Sequence, residues 1–108
     1  KLRRALGRSL FLLGAFEDSA LVGFVRCVGD GEHILYVQDL IVRPAQQRKG
    51  IGRELMLRTS ERFSHVRQFL LITDAEDAVS NAFYRAIELK TTLGGYPCTA
   101  YYRDLPEA

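Results

Sequence analysis

Apolar residues fall in short blocks over the first 42 positions and then switch to a four-residue spacing from position 50. "SLFLLGAF" at 9–16 and "ALVGFVRCV" at 20–28 are runs of strand length, separated by the polar residues Glu17, Asp18 and Ser19. That is a hairpin pattern. "VGDGEH" at 28–33 predicts a second turn, because Gly29 and Gly31 supply permissive backbone, and it leads into "ILYVQDLIV" at 34–42. The first half therefore reads as an antiparallel meander. Pro44 ends its third strand, since proline offers no backbone donor and restricts the residue before it.

From Gly50 to Phe63 the period is helical: Ile51, Leu55, Thr59 and Phe63 lie four apart, with Met56 beside them and Arg53, Arg58 and Arg62 turned outward. "QFLLIT" at 68–73 returns to a nearly continuous apolar run, as expected of a strand covered on both faces. A strand, a crossover helix and a strand imply a parallel pair. "AVSNAFYRAI" at 78–87 has helical spacing at Val79, Ala82, Phe83 and Ile87, and a glycine-rich turn then leads to a final strand around 98–103. The expected fold is a mixed α+β single domain over 1–108, antiparallel first and with a central parallel pair. "KLRRAL" at the start reads as the end of a helix, so the chain reads as the remainder of a longer, N-terminally incomplete polypeptide.

Composition narrows the function classes without choosing one. With 108 residues, 47% of them hydrophobic and 26% charged, the chain has room for one core and the make-up of a soluble globular protein. No apolar run approaches the ~20 residues of a membrane span, so no membrane partner is expected. A net charge of +2, without a helix-turn-helix or an aromatic RNA motif, argues against nucleic acid. Cys27 and Cys98 lack metal-ligand spacing and read as small core hydrophobes; His33 and His65 read as surface residues. No metal is expected, and a reducing cytoplasm is the default location.

The chemistry concentrates in "AQQRKGIGRELM" at 45–56, where a helix begins on two glycines. Glycine is a poor helix residue, so another requirement favours it here. A helix N-terminus leaves about four amides unpaired and carries roughly half a positive charge. Glycines let those amides approach an anion, and Arg48, Lys49 and Arg53 add mobile positive charge. The residues fit neither a P-loop, since Arg53 and Glu54 follow Gly52, nor the three-glycine dinucleotide fingerprint. A phosphate or pyrophosphate cradle is the candidate reading, beside that of a plain turn into the helix.

The order "DLIVRP" followed by Gln47-x-x-Gly50-x-Gly52, with Phe83-Tyr84 downstream, resembles the acetyl-CoA-binding segment of the GNAT superfamily of N-acetyltransferases. The resemblance implies a GNAT-like mixed sheet and a reaction in which an acetyl group passes from acetyl-CoA to a primary amine by direct attack in a ternary complex. It implies that Leu40, Ile41 and Val42 hold the pantetheine arm through their backbone. It also implies that Gln47, Arg48, Lys49, Gly50, Ile51, Gly52 and Arg53 form the pyrophosphate loop, and that the Tyr84 hydroxyl is the general acid at the sulfur. Asp39, on the strand beside the presumed reaction centre, is the first candidate base. Asp74, Glu76 and Asp77 read either as a magnet for a cationic acceptor or as a solvated loop and helix cap. Glu88 and Leu89 depart from the family's Gly-Phe, and the family's first strand and first helix have no counterpart before Lys1. The resemblance implies a small-molecule or peptide amine as acceptor, and an exposed sheet edge leaves room for a homodimer. A CoA-binding regulatory module without turnover stays open as the alternative.

Overall fold

The computed structural model describes residues 1–95 and 97–103. The chain divides into two compact units, Lys1–Ile72 and Thr73–Ala108. The first contains α1 (Leu2–Gly7), β1 (Phe11–Glu17), β2 (Ala20–Gly29), β3 (Ile34–Val42), a 3-10 turn (Pro44–Gln46), α2 (Ile51–Arg62) and β4 (Gln68–Leu71). The strands lie in the order β1-β2-β3-β4. The first three pair antiparallel and β3 pairs with β4 in parallel, as the hydrophobic pattern predicts.

Local chemistry closes both turns of the meander. Asp18 and Ser19 take left-handed backbone, φ 50° and 71°, between the paired residues Glu17 and Ala20. Two such residues give the turn whose twist matches a hairpin. In the second turn one Asp30 carboxylate oxygen accepts the N–H groups of Glu32, His33 and Ile34 at 2.8, 2.8 and 3.0 Å. Those three donors favour the charged form and bring the Asp30 carboxyl down to about 2. His65 reaches the same turn, its Nε2 lying 2.9 Å from the Gly31 carbonyl oxygen.

The core of this unit lies between one sheet face and α2. Val25, Cys27, Leu35 and Val37, spaced two apart on neighbouring strands, are at most 4% exposed. α2 buries Leu55, Met56 and Thr59 against them, and Phe63 follows at its C-terminal cap. The Thr59 hydroxyl donates to the Leu55 carbonyl at 2.8 Å, so its burial leaves no polar group unpaired. The Phe63 ring stands edge-on to Phe11 with centroids 5.3 Å apart. Gly23 makes the close approach of helix and sheet feasible. A Cβ there would meet the Ile41 carbonyl oxygen at 3.1 Å and the Ile51 and Val42 side chains at 3.3 Å.

One irregularity of the sheet shapes everything that follows. Arg26 opposes Asp39 but Cys27 opposes Val37, so Gln38 is an extra residue, a β-bulge in β3. β4 pairs only with Ile34–Val37. Beyond the bulge β3 therefore keeps β2 on one side and has lost β4 on the other.

The second unit contains α3 (Ala78–Ala86). Asp77 caps it, accepting the Ser80 N–H at 3.0 Å and the Ser80 hydroxyl at 2.8 Å. The helix closes in a Schellman motif: Leu89 N–H donates to the Tyr84 carbonyl at 3.1 Å and Glu88 N–H to the Arg85 carbonyl at 3.0 Å. Glu88 sits at the left-handed position of that motif, φ 72°.

Four expectations are corrected. The run at 68–73 is not a strand covered on both faces: β4 ends at Leu71, and Gln68, Leu70 and Ile72 are exposed, so one face only is covered. Residues 98–103 form no strand, because a strand needs a ladder to a neighbouring edge. Here Cys98 N–H instead donates back to the Thr92 carbonyl at 2.9 Å, just after Pro97, which has no N–H to give. Cys98, lying in that irregular stretch, is exposed rather than part of a core, whereas Cys27 is fully buried. Val79 is 75% exposed and points away from the apolar side of α3, where Phe83 and Ile87 are half-buried.

Candidate active site

The freed edge of β3 and the start of α2 form one continuous feature. Leu40, Ile41 and Val42 pair with Val25, Phe24 and Gly23 of β2. Among the described residues no strand engages their other edge. The chain then turns at Pro44, with Gln46 N–H donating to the Arg43 carbonyl at 2.9 Å and Gln47 N–H to that of Pro44 at 3.3 Å. Arg48 and Gly50 take left-handed backbone, φ 66° and 85°, and α2 begins at Ile51.

Gly50 is the N-cap of α2 and supplies no side-chain cap. The first intrahelical donor is Glu54 N–H, to the Gly50 carbonyl at 3.0 Å. The amides of Ile51, Gly52 and Arg53 precede it and have no partner within the helix. A Cβ at Gly50 would meet nothing within 4 Å, so its neighbourhood is open. The residue is glycine because of its φ and because nothing then projects into the space before the helix. Among the described residues the side chains of Arg48, Lys49 and Arg53 make no ion pair or hydrogen bond, in contrast to Arg58, which lies 3.8 Å from Glu54. An uncapped helix N-terminus, open space and three uncommitted cations are what an anionic pyrophosphate requires. The residues present fit the group expected there.

Gln47 does something its place in the motif did not disclose: its Nε2 donates to the Val42 carbonyl at 3.0 Å, joining the loop to the end of β3. Asp39 lies just after the bulge, and Arg26 Nε donates to its Oδ2 at 2.7 Å. Arg26 Nη1 also reaches the Ser9 hydroxyl at 3.3 Å, and that hydroxyl donates to the Ala5 carbonyl at 3.1 Å. The pair thus ties the bulge to the end of α1. Arg26 could have been suspected from the sequence only as the one charge inside an otherwise apolar strand.

Asp39 through Arg53 all belong to the first unit, and Tyr84 belongs to the second. Tyr84 is half-buried on α3, its ring edge-on to Phe83 at 5.2 Å. Burial first, and the Asp77 carboxylate second, raise its hydroxyl above the ordinary tyrosine range, so it holds its proton at neutral pH. Asp74 accepts the Glu76 N–H at 2.9 Å, and Asp77 caps α3. Of the two readings of that acidic stretch, the loop and cap are thereby described. Among the described residues no three His, Cys, Asp or Glu side chains converge as a metal site, and no helix is long and apolar enough to cross a membrane.

A mixed sheet that opens at a bulge, followed by a glycine loop at an uncapped helix N-terminus, is the arrangement these elements make. The profile of the acetyltransferase (GNAT) family matches residues 2–88, and the chain belongs to that family. A GNAT family acetyltransferase from Streptococcus pneumoniae TIGR4 is 38% identical, with a TM-score of 0.88 over 98% of this chain and 79% of that one. An acetyltransferase structure from Deinococcus radiodurans R1 shares the fold at 24% identity, with a TM-score of 0.76 over 95% of this chain and 66% of its own. A ycf52-like N-acetyltransferase of Prochlorococcus marinus is 33% identical over 60 residues, 52% of this chain; the match spans a third of that relative's length (33%).

Proposed function

We propose that this chain transfers an acetyl group from acetyl-CoA to a primary amine, by direct attack with both substrates bound. The observation that carries the proposal is the continuity of the free β3 edge with the uncapped start of α2. One of the solved structures that shares this fold, an aminoglycoside N-acetyltransferase, is described as a complex with CoA. The fold and the loop support the same cofactor here.

When bound, acetyl-CoA supplies the acetyl group as a thioester whose carbonyl carbon the amine attacks. The chain's own residues do the rest. The amides of Ile51, Gly52 and Arg53, with the side chains of Arg48, Lys49 and Arg53, hold the negative charge. The open edge at Leu40, Ile41 and Val42 offers backbone donors and acceptors to an amide-bearing arm, much as it would to another strand.

Two proton movements remain. An acceptor with a lysine-like pKa is neutral in only about one molecule in ~2,500 at pH 7, a penalty of ~4.6 kcal/mol. A carboxylate must take its proton, directly or through water, and Asp39 is the candidate, with Arg26 holding Oδ2. The departing thiolate must gain a proton, and Tyr84 is the candidate donor. An ordinary tyrosine is about 2 kcal/mol uphill toward a thiolate, and Tyr84 is raised further, so the step requires a site that disfavours the thiolate by desolvation.

The test is an amine screen with thiol release as the readout, on the wild-type chain and on Tyr84→Phe. Turnover with at least one amine class is expected, with Tyr84→Phe lowering kcat and leaving the KM for acetyl-CoA unchanged. Tight CoA binding without turnover of any amine would instead mark a CoA-binding module.

A further inference from the structure

We infer that Gln47 is a positioning residue, a tether that sets the pyrophosphate loop against the open end of β3, rather than a ligand of the cofactor. The inference rests on the cofactor reading above and concerns how its two halves are kept in register. The open strand edge ends at Val42 and the unpaired amides begin at Ile51, with eight residues, 43–50, between them. A cofactor spanning both needs their separation fixed before it binds, because ordering a loose loop on binding costs affinity.

Few bonds hold that segment. Arg43 N–H donates to the Val22 carbonyl at 2.8 Å, which anchors its beginning, and the 3-10 turn contributes the bonds of Gln46 and Gln47 N–H. Among the described residues, the amides of Arg48, Lys49 and Gly50 make no backbone hydrogen bond. The contact that returns the loop to the strand is the Gln47 side chain, donating to the Val42 carbonyl at 3.0 Å across five positions of chain. Its Nε2 is engaged by that carbonyl, and the residue stands immediately before Arg48, the first of the two left-handed residues, Arg48 and Gly50, that aim the chain into α2. Glutamine suits this role because it has the reach to span the turn and an NH2 that donates without adding a charge.

The direct test uses Gln47→Met, which keeps length and neutrality and removes the donor. Calorimetric titration with CoA is paired with NMR order parameters of the loop in the cofactor-free protein. The tether predicts CoA affinity weakened by about three- to tenfold, the range for loss of one hydrogen bond. It also predicts that order parameters at residues 48–50 fall from the rigid range near about 0.85 toward the flexible range, with the β2 and β3 values unchanged. Weakened CoA binding with unaltered loop order would make Gln47 a direct ligand and overturn the inference. Unaltered CoA binding by the variant would overturn it too, leaving the cofactor reading intact. A wild-type chain that binds no CoA would overturn both, and is distinguished because the failure then precedes any substitution.

Discussion

Replacing Glu88 by glycine should make this protein more stable, although it removes a charged side chain from a helix end. Glu88 occupies the left-handed position of the motif that closes α3, at φ 72°. An L-residue with a Cβ meets the following carbonyl there, at a cost of roughly 1–2 kcal/mol. Glycine escapes that cost but loses more chain entropy on folding, roughly 0.5–1 kcal/mol relative to alanine. The two closing hydrogen bonds, Glu88 to Arg85 and Leu89 to Tyr84, run between backbone groups and survive the change. Among the described residues the Glu88 side chain has no hydrogen-bonded partner and is exposed, so its removal costs little. The net expectation is a gain of about 0.5–1 kcal/mol, read as a higher midpoint of urea denaturation at unchanged slope. Glu88→Ala separates the causes. It deletes the same charge but keeps the Cβ, and should shift stability by less than ~0.5 kcal/mol. If Glu88→Gly is neutral or destabilising, or if Ala stabilises as much as Gly, the backbone argument is wrong.

Other expectations follow from single contacts. Phe63→Ala, which empties a buried position against Phe11, should cost about 3–5 kcal/mol in urea denaturation. Ellman titration should find Cys98 reactive in the folded chain and Cys27 silent until denaturant is added, because burial pushes the Cys27 thiol up to about 11. Asp30 is held near 2 by three backbone donors, so its contribution is present above the ordinary aspartate value. It should be lost as pH falls through about 2, and an acid titration of Asp30→Ala should lack that component of the stability curve. Tyr84 has the opposite sign: its raised hydroxyl stabilises the folded state below the ordinary tyrosine value, and this should fade as pH rises past it. Tyr84→Phe, compared with wild type in alkaline denaturation, checks this.

Periodicity made most of the fold legible. The change from strand blocks to a four-residue spacing at Gly50 locates α2, and its Leu55, Thr59 and Phe63 are buried as that spacing requires. The parallel pair follows from the crossover. The last strand was not legible because an apolar, aromatic stretch specifies a strand only where an edge is available, and residues 98–103 form no ladder. Cys98 was misplaced for the same reason. At the site, glycine spacing disclosed the loop, but the bulge at Gln38 depends on a register shift between strands that a local pattern does not encode. Arg26 and Gln47 were hidden in the same way: each acts on a group 13 or five positions away, and residue type alone names no partner. At the Glu88 departure the backbone takes the left-handed turn that glycine would favour.

Whether the start of α2 receives the pyrophosphate of acetyl-CoA is decided by calorimetric titration of wild type against Gly50→Glu. The substitution puts a side chain and a negative charge into space that is open within 4 Å of the Gly50 Cβ position. Saturable binding of acetyl-CoA by wild type is expected, with a loss of at least about tenfold in the variant and an unchanged far-UV circular dichroism spectrum. Equal binding by the two proteins, or no binding by a folded wild-type chain, would refute a pyrophosphate site at this helix.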